Sequence, residues 1–490
     1  MADTDSAEVV ATPAGGGPGR VHVAPGAASA SWMAAGLAGM GPDELMSRPS
    51  SMRRAVLWLA WPVVAELVLQ TLTQMADMIM VGRLGAASVA AVGLSTQPLF
   101  LVQGLFMGLG VGTTALVARF IGANQKPRAD EVTAQSLALT VVVAAALSVA
   151  GYAASPWIVR FMGAGPDVQT LALSYMRTLI PGLFMLMVNM TIGAALRGAG
   201  DTRFPMKVNT FVNISNLIGN YALIYGNLGF PAMGVTGAAL ATTLARSAGA
   251  VWLLWHALSG TGAVTARLGP KFRFDPGTIR RVLSVGLPAS LERLSLSLGM
   301  VFYVRLVSSL GTAAYAAHAI AINAESISFM PGFAFAVSAT TLVGQALGAG
   351  RPDVAQRAGW ESWRITAVIM GVMGLVLFAI PAQLMSLYVD DPEIIQMGAS
   401  VLRIMAVAQI PMSAGFTVVG ALRGAGDTRS VLYLTVFSIW CVRFAMAWFF
   451  VRILGLGLAG AWYAMALDWF VRAGMSIARF AGGRWREIRV

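Results

Sequence analysis

The sequence has little charge and almost no cysteine, and each shortage excludes a class of protein. Only 11% of its 490 residues are charged, whereas about 25% is usual in soluble proteins, so the chain cannot build a water-compatible surface over its whole length. The single cysteine, Cys441, excludes an intramolecular disulfide and a cysteine-based metal site. The histidines, His22, His256 and His318, are too dispersed for a multi-histidine metal site.

Catalytic and nucleotide-binding signatures are missing as well. The sequence has no Gly-Lys-Ser/Thr loop to cradle phosphates, which argues against an ATP-driven pump. We find no set of nucleophile, base and acid, and we predict no catalytic residue, no metal site and no cofactor. The net charge of +12 is scattered between apolar spans and does not form one basic stripe, so nucleic-acid binding is not predicted.

What the chain does contain is apolar sequence. Hydrophobic residues make up 57% of it, and runs close to the roughly 20 residues needed to cross a bilayer recur after residue 50. Such runs must be helical, because unpaired backbone groups cannot face hydrocarbon. We therefore predict an all-α integral membrane protein with twelve transmembrane helices, near residues 55–81, 88–117, 132–154, 170–195, 206–226, 234–258, 281–308, 314–343, 361–380, 396–421, 431–453 and 458–480.

The chain ends and the loops predict the orientation. Residues 1–50 are rich in Ala, Gly, Ser and Pro and begin with acidic residues, which is typical of a disordered tail and not of a secretory signal peptide. Alternate loops carry about 21 Lys and Arg residues, and the other loops carry only Arg83, Arg160 and Arg452. Since cytoplasmic loops collect positive charge, we predict that both termini are cytoplasmic and that the bilayer is the plasma membrane.

One segment occurs twice. Residues 195–203, Ala-Leu-Arg-Gly-Ala-Gly-Asp-Thr-Arg, recur identically as residues 421–429, about 226 positions later. The same offset aligns Glu66 with Glu292 at the matching place in each half. The chain is therefore predicted to contain two copies of a six-helix unit.

Six helices are an even number, so both copies enter the membrane from the same side. Parallel repeats of this kind commonly enclose a site near the midplane and rock against each other. We predict a tail at 1–50, an N lobe at 51–265, a linking loop at 266–277 and a C lobe at 278–490, with a central cavity between the two lobes.

Several motifs resemble the multidrug and toxic-compound extrusion family. They are Asp77-Met-Ile-Met-Val-Gly-Arg-Leu-Gly85, Gly344-Gln-Ala-Leu-Gly-Ala-Gly350, both copies of Leu-Arg-Gly-Ala-Gly-Asp-Thr, Phe329-Met-Pro-Gly332, and Asn216 with Asn220. The resemblance runs from residue 55 to about 480. It implies a twelve-helix antiporter that exports small organic compounds, often cationic, in exchange for protons or sodium ions.

The first helix carries a polar face. Glu66, Gln70, Thr73, Gln74 and Asp77 are spaced at i, i+4, i+7, i+8 and i+11, which places them on one side of a helix. A carboxylate at the centre of a bilayer costs about 2.5 to 3.5 kcal/mol on insertion scales. This face is therefore predicted to line the bundle interior or a wet cavity.

Asp77 and Glu66 are the first candidates for cation coupling. A carboxylate that alternates between apolar and wet surroundings can take up and release a proton, and the resemblance places Asp77 at the coupling aspartate of the family. The alternative is that Asp77 caps its helix or pairs with Arg83. Glu66 could take part in coupling or could lock helices together by hydrogen bonds.

Asn216 and Asn220 share a face of the fifth helix and complete the predicted coupling site. Amides can ligate a cation or orient a carboxylate without titrating; the alternative is ordinary interhelical hydrogen bonding. Some members of the family have aspartate at the position of Asn220. Its absence weakens a sodium site, so we favour protons over sodium as the coupling ion.

The second half supplies candidates for a substrate cavity. Glu292 and Glu325 could neutralise a cationic substrate or could be structural, and Tyr303 stands where the repeat would place a second Asp77. The predicted cavity residues are Glu292, Glu325, Met185, Asn189, Tyr303, His318 and Phe333. Asp468 and Arg472, one helical turn apart, are predicted to pair with each other.

The sequence thus predicts a secondary active antiporter that works as a monomer on small molecules. Two other functions remain open. A lipid-linked-sugar flippase would need basic side chains in its cavity, for which Arg305 and Arg443 are candidates. A membrane scaffold without transport is the other alternative.

Overall fold

The computed structural model describes residues 49–163, 165–267 and 272–488, so nearly all of the predicted tail lies outside the described residues. Twelve long helices make up most of this part of the chain and confirm the predicted all-α architecture. They are α1 Pro49–Gly82, α2 Ala86–Gly122, α3 Lys126–Phe161, α4 Pro166–Gly198, α5 Arg203–Tyr225, α6 Gly234–Ser259, α7 Pro276–Ser308, α8 Thr312–Gly348, α9 Pro352–Ala379, α10 Pro392–Gly424, α11 Thr428–Ile453 and α12 Gly457–Ala481. A short helix, Pro381–Ser386, precedes α10, and a 3₁₀ turn, Arg484–Glu487, follows α12.

Nine of the helices in the described residues are long and apolar enough to cross a membrane by composition alone. The three long helices outside that set are α5, α7 and α12, and each carries polar side chains that contact other helices. Asn220 on α5, Glu292 on α7 and Asp468 on α12 are examples, all of them buried. Polar residues within membrane helices are expected to face the bundle interior in this way.

Local sequence explains where two of the helices begin. The carboxylate of Asp275 accepts hydrogen bonds from the backbone N–H groups of Gly277 and Thr278, each at 2.9 Å, and so caps α7. Asp391 caps α10 in the same way through the N–H of Glu393 at 2.9 Å. In both cases a proline follows the cap, at the first helical position, where its missing N–H removes no helical hydrogen bond.

The two halves repeat one packing scheme. Within the N lobe, α2 packs on α4, α4 on α6, and α1 on α5; within the C lobe, α8 packs on α10, α10 on α12, and α7 on α11. The first turns of α1 depart from this division, because Met52, Val56 and Leu59 are buried in a C-lobe core with Phe335 and Leu342. The duplicated sequence therefore folds as two similar bundles that exchange contacts through α1.

The lobes meet along α2, which packs on α7 and α8, and along α1, which packs on α8. We call the side of the bundle where α2, α4, α8 and α10 end the basic end. There α2 and α8 cross at Gly122 and Gly348, which are equivalent positions of the repeat. A Cβ atom on Gly122 would lie 2.0 Å from the backbone oxygen of Gln345, and one on Gly348 would lie 2.0 Å from that of Arg119. Only glycine allows the two backbones to approach so closely.

This crossing predicts the effect of adding one methyl group. We expect Gly122→Ala to destabilise the protein by about 1–3 kcal/mol, since α2 and α8 must separate to admit the Cβ atom. Thermal unfolding in detergent measures the change. Gly110→Ala on the same helix is the matched control, because its Cβ atom would lie 3.5 Å from that of Ala194, an ordinary contact. Equal unfolding temperatures for the two variants would contradict the tight crossing.

Candidate functional site

The polar face of α1 is directed at α5 and not at lipid. Asn220 Nδ2 donates a hydrogen bond to Asp77 Oδ1 at 2.5 Å, and Asn209 Nδ2 donates to Glu66 Oε1 at 2.7 Å. The described residues contain no ion pair between Asp77 and Arg83, the alternative partner considered from the sequence. The two carboxylates therefore lie inside the N lobe, each with an amide from the same neighbouring helix.

Asn216 completes the surroundings of Asp77. With its amide nitrogen turned toward α1, Asn216 donates to both Asp77 oxygens, at 3.1 and 3.2 Å, and its oxygen accepts from the Thr242 hydroxyl of α6 at 2.9 Å. This orientation turns an N–H group rather than an oxygen toward the Asp77 carboxylate, and amides are assigned from such hydrogen-bond networks. Asn216 and Asn220 are both buried. The structure thus brings three of the four predicted coupling residues together, and the Asp77 carboxylate is met by N–H groups.

Three residues near Asp77 were not predicted, namely Thr242 and Arg246 of α6 and Tyr175 of α4. Arg246 lies one turn beyond Thr242 on α6, on the same helical face, and it interacts electrostatically with Asp77 and with the buried Tyr175 of α4. An arginine in the middle of an apolar helix is itself a signal that could have identified it. The N-lobe site therefore contains one carboxylate and a nearby fixed cation.

Glu66 and the α4 candidates make no hydrogen bond to this group within the part of the chain that the structure describes. One oxygen of Glu66, Oε2, is buried with no hydrogen-bond partner among the described residues. Between Glu66 and Asp77, the side chains of Gln70 and Gln74 are exposed in the middle of α1. Because an amide is costly in lipid, we expect water between the lobes at this level. On α4, Asn189 is buried and Met185 is half-buried.

Glu292 is already neutralised in the C lobe. Arg423 Nη2 donates to both of its carboxylate oxygens, each at 2.8 Å, and the Thr435 hydroxyl donates to Oε1 at 3.0 Å. Thr435 stands at the position in the repeat that Asn209 holds beside Glu66. Glu292 therefore has a structural cation of its own, and this arrangement does not favour its predicted role beside a cationic substrate.

Glu325, His318 and Tyr303 lie deeper in the C lobe, and all three are buried. Gln409 Nε2 of α10 donates to Glu325 Oε1 at 3.4 Å. Trp462 Nε1 donates to His318 Nδ1 at 3.1 Å, and the His318 ring lies 5.7 Å from the Tyr303 ring between centroids. The three predicted residues thus line one region but do not hydrogen-bond to one another.

The centre of the C lobe is a charged cluster around Asp468. Its carboxylate pairs with Arg472 at 3.1 Å, which confirms the predicted pair, and with Arg443 at 2.5 Å. Ser438 also donates a hydrogen bond to it. Ser438 and Arg443 are five residues apart in a π-helical stretch of α11, Ser438–Phe444, and the i to i+5 spacing of that helix brings both to one side. In the regular α-helix expected from the sequence, Ser438 and Arg443 would lie on different sides, so the sequence did not predict that they meet.

Aromatic rings join this charged cluster to the surface. Phe333 of α8 is 38% exposed, and its ring centroid lies 4.5 Å from that of Phe416. Phe416 in turn lies 5.2 Å from Trp469, and the guanidinium carbons of Arg472 and Arg443 lie 4.7 and 5.8 Å from the Trp469 ring centroid. The predicted cavity residue Phe333 is thus the outer member of a continuous row of rings.

Side chains from opposite lobes hydrogen-bond at the basic end. Gln345 Nε2 of α8 donates to the backbone oxygen of Gly198 at 3.0 Å, and Thr341 donates to that of Arg197 at 2.9 Å. In the reverse direction, Arg119 of α2 donates to the backbone oxygen of Ala425 at 3.4 Å. Arg119 and Gln345 are equivalent in the repeat. Each copy of the duplicated motif is therefore held by a side chain of the other lobe, and we call these three contacts the cross-lobe latch.

The comparisons with known proteins agree with this architecture. The MatE family model matches two separate segments, residues 62–222 and 288–449, which together make up more than half of the chain. These segments correspond to the two halves of the repeat, and the resemblance seen in the sequence motifs is confirmed.

Individual relatives extend the match to almost the whole chain. A probable multidrug resistance protein NorM of Thermotoga maritima is 32% identical over 439 residues, covering 89% of this chain and 94% of its own. The solved outward-facing structure of a multidrug resistance MATE family transporter of the MOP superfamily superposes with a TM-score of 0.82 at 28% identity, covering 88% of this chain and 97% of that one.

A second solved structure is of a MOP superfamily transporter from Pyrococcus furiosus, whose binding pocket is described as having reverse polarity. It matches with a TM-score of 0.81 at 29% identity and covers 89% of this chain and 96% of its own. All these matches are to transporters, which favours transport over a scaffold role. The chain belongs to the MatE family of membrane transporters.

Proposed function

We propose that this chain exports small organic compounds across the plasma membrane in exchange for protons, by alternating access of the two lobes. The observation that carries the proposal is Asp77, a carboxylate held inside the N lobe by amide donors, on a helix face whose exposed glutamines indicate water nearby. Multidrug resistance proteins among the relatives support export of organic compounds.

The surroundings of Asp77 support protons over sodium. A sodium ion needs oxygen ligands, but Asn220 and Asn216 direct N–H groups at the carboxylate. A proton needs only one carboxylate oxygen and no ligand shell. The coupling ion that suits this site is therefore the proton.

The cross-lobe latch supports alternating access. The cross-lobe hydrogen bonds of the described residues lie at the basic end or near the middle of the bundle, and none joins the lobes at the opposite end. We take the basic end as cytoplasmic, since it carries most of the Lys and Arg residues. The structure then represents a state closed toward the cytoplasm, in line with the outward-facing relative. Breaking the latch would open the basic end.

The first test is Asp77→Asn. This change keeps the size of the side chain but removes the group that takes up a proton, so we expect a folded protein that loses at least about 90% of proton-driven efflux. The measurement is export of a fluorescent dye from proteoliposomes under an imposed proton gradient, and separately under a sodium gradient.

The control for this test is Asp390→Asn, which removes an exposed carboxylate in the loop before α10 and should transport as the unaltered protein does. Full proton-driven transport by Asp77→Asn would refute its coupling role. Efflux driven by sodium alone would refute the choice of ion, and no export of any dye under either gradient would refute the exporter.

The second test concerns the latch. The double variant Arg119→Ala and Gln345→Ala removes two cross-lobe hydrogen bonds, worth about 1–3 kcal/mol together, and should shift the lobes toward the state open at the basic end by about 5- to 150-fold. Spin labels at positions 128 and 353, in a Cys441→Ser background, report the distance between the lobes by double electron–electron resonance. We expect a new component at longer distance.

Asn323→Ala provides the matched control for the latch. Asn323 lies on α8, as Gln345 does, but its side chain donates only to the backbone oxygen of Ala319 on its own helix. Its distance distribution should be that of the unaltered protein. A latch variant with an unchanged distribution would show that these hydrogen bonds do not hold the basic end closed.

A further inference from the structure

The ion-paired cluster at the centre of the C lobe holds two guanidinium groups and one carboxylate. Asp468 supplies a single negative charge, which the guanidinium groups of Arg443 and Arg472 share. Glu325 acts on Arg443 only electrostatically, since no ion pair joins them within the part of the chain that the structure describes. The two guanidinium groups therefore share one ion-pair partner in a poorly solvated region, where a charge with incomplete partners is costly.

The same cluster has unused hydrogen-bond donors. Arg443 Nε and Arg472 Nε are buried and have no acceptor among the described residues, and neither does the Tyr303 hydroxyl. Arg472 is 5% exposed and Tyr303 is 1% exposed. A buried donor without an acceptor is unfavourable by about 1–3 kcal/mol. These unused groups are suited to an acceptor that comes from outside the protein.

The row of rings provides a route to these donors. Phe333 is the exposed member, on the helix that packs against α1 across the lobe interface, and the sulfur of Met330 on that helix lies 4.0 Å from the Thr71 hydroxyl of α1. From Phe333 the rings continue through Phe416 to Trp469, which lies against both guanidinium groups. A flat aromatic ligand that entered between the lobes would meet rings first and arginines at the end.

We propose that Arg443, Arg472, Trp469 and Phe416 form a subsite for the carboxylate end of an aromatic substrate. The proposal rests on the export function proposed above and specifies its substrate class. A carboxylate would give the two guanidinium groups a second ion-pair partner, and its two oxygens match the fork of a guanidinium. A phosphate monoester suits the cluster less well, because its second charge would be repelled by Asp468.

The test is binding of three probes that share one ring system and differ in charge. Naphthoate is anionic, its methyl ester is neutral, and naphthylmethylammonium is cationic. Equilibrium dialysis against the full-length protein in detergent, at neutral pH and without any ion gradient, gives the three dissociation constants. We expect naphthoate to bind at least about tenfold more tightly than the ester, as expected for a hydrogen bond to a charged group, and naphthylmethylammonium to bind most weakly.

Arg443→Gln tests the donor. Asp468 keeps Arg472 and Ser438 as partners in this variant, so the protein should still fold, and the preference for naphthoate over the ester should fall about tenfold. Arg452→Gln is the matched control on the same helix, because the Arg452 side chain bonds to Ser309 at the end of α7, away from the cluster. It should keep the full preference.

Equal binding of naphthoate and its ester, or tighter binding of the cationic probe, would overturn the proposal. The unaltered protein alone decides this point if Arg443→Gln fails to fold. Because binding is measured without a gradient, the result is separable from the proposed function. A chain that exports cationic dyes but shows no carboxylate preference would refute only the subsite. A chain that prefers naphthoate but exports nothing would refute only the exporter.

Discussion

A carboxylate among apolar helices must be met by hydrogen-bond donors or by a cation, and the kind of partner decides what that carboxylate can do. Glu292 and Asp468 have arginine partners, and a carboxylate held by a guanidinium gives up its charge only at the cost of leaving that guanidinium unpaired. Asp77 is met by amides, which remain neutral whether or not it carries a proton. The same requirement for partners therefore produces ion pairs in one lobe and an amide-bound carboxylate in the other.

Duplication explains how two such different sites share one scaffold. Glu66 and Glu292 are equivalent, and so are their hydrogen-bond donors Asn209 and Thr435, which shows that the repeat preserves contacts as well as helices. The two repeats differ in sequence further along the same helices. One lobe has Asp77 where the other has the buried Tyr303, and the C lobe instead concentrates its charge between α11 and α12. The contacts that both repeats keep join helices within each lobe, and the proposed sites lie at positions where the repeats differ.

The sequence predicts the fold well because the signals for it are local or periodic. Apolar runs indicated the twelve helices, and the spacing from Glu66 to Asp77 indicated that this face of α1 points inward, which the contacts to Asn209 and Asn220 confirm. The nine-residue duplication indicated two copies of one unit. Each of these inferences needs only the lengths of apolar runs, the helical period or a repeated stretch of sequence. None depends on which distant side chains meet.

The charged partners could not be predicted in the same way. Arg423 reaches Glu292 across 131 residues of sequence, and nothing in the sequence near Glu292 marks that pairing. The pairing of Arg443 with Asp468 depends on a π-helical stretch, which the apolar pattern of α11 does not reveal. The available signal was weaker but general: a charged residue within an apolar span needs a partner. Applied to Arg246 and Arg443, that rule identifies both sites without specifying what they contact.

Separate sites in the two lobes limit how coupling can work. Under the proposed function, the proton binds at Asp77 and the substrate binds near Arg443, so the two ligands do not compete for one carboxylate. Coupling must then pass through the equilibrium between the two orientations of the lobes, and each ligand can shift that equilibrium only by its difference in affinity for the two states. Under the same proposal, the cross-lobe latch sets the resting position of the equilibrium, since its hydrogen bonds through Arg119 and Gln345 would be lost when the basic end opens. The latch consists of a few hydrogen bonds to neutral backbone oxygens. A ligand whose affinities for the two states differ by a few kcal/mol can therefore overcome it, because that difference exceeds what these hydrogen bonds contribute.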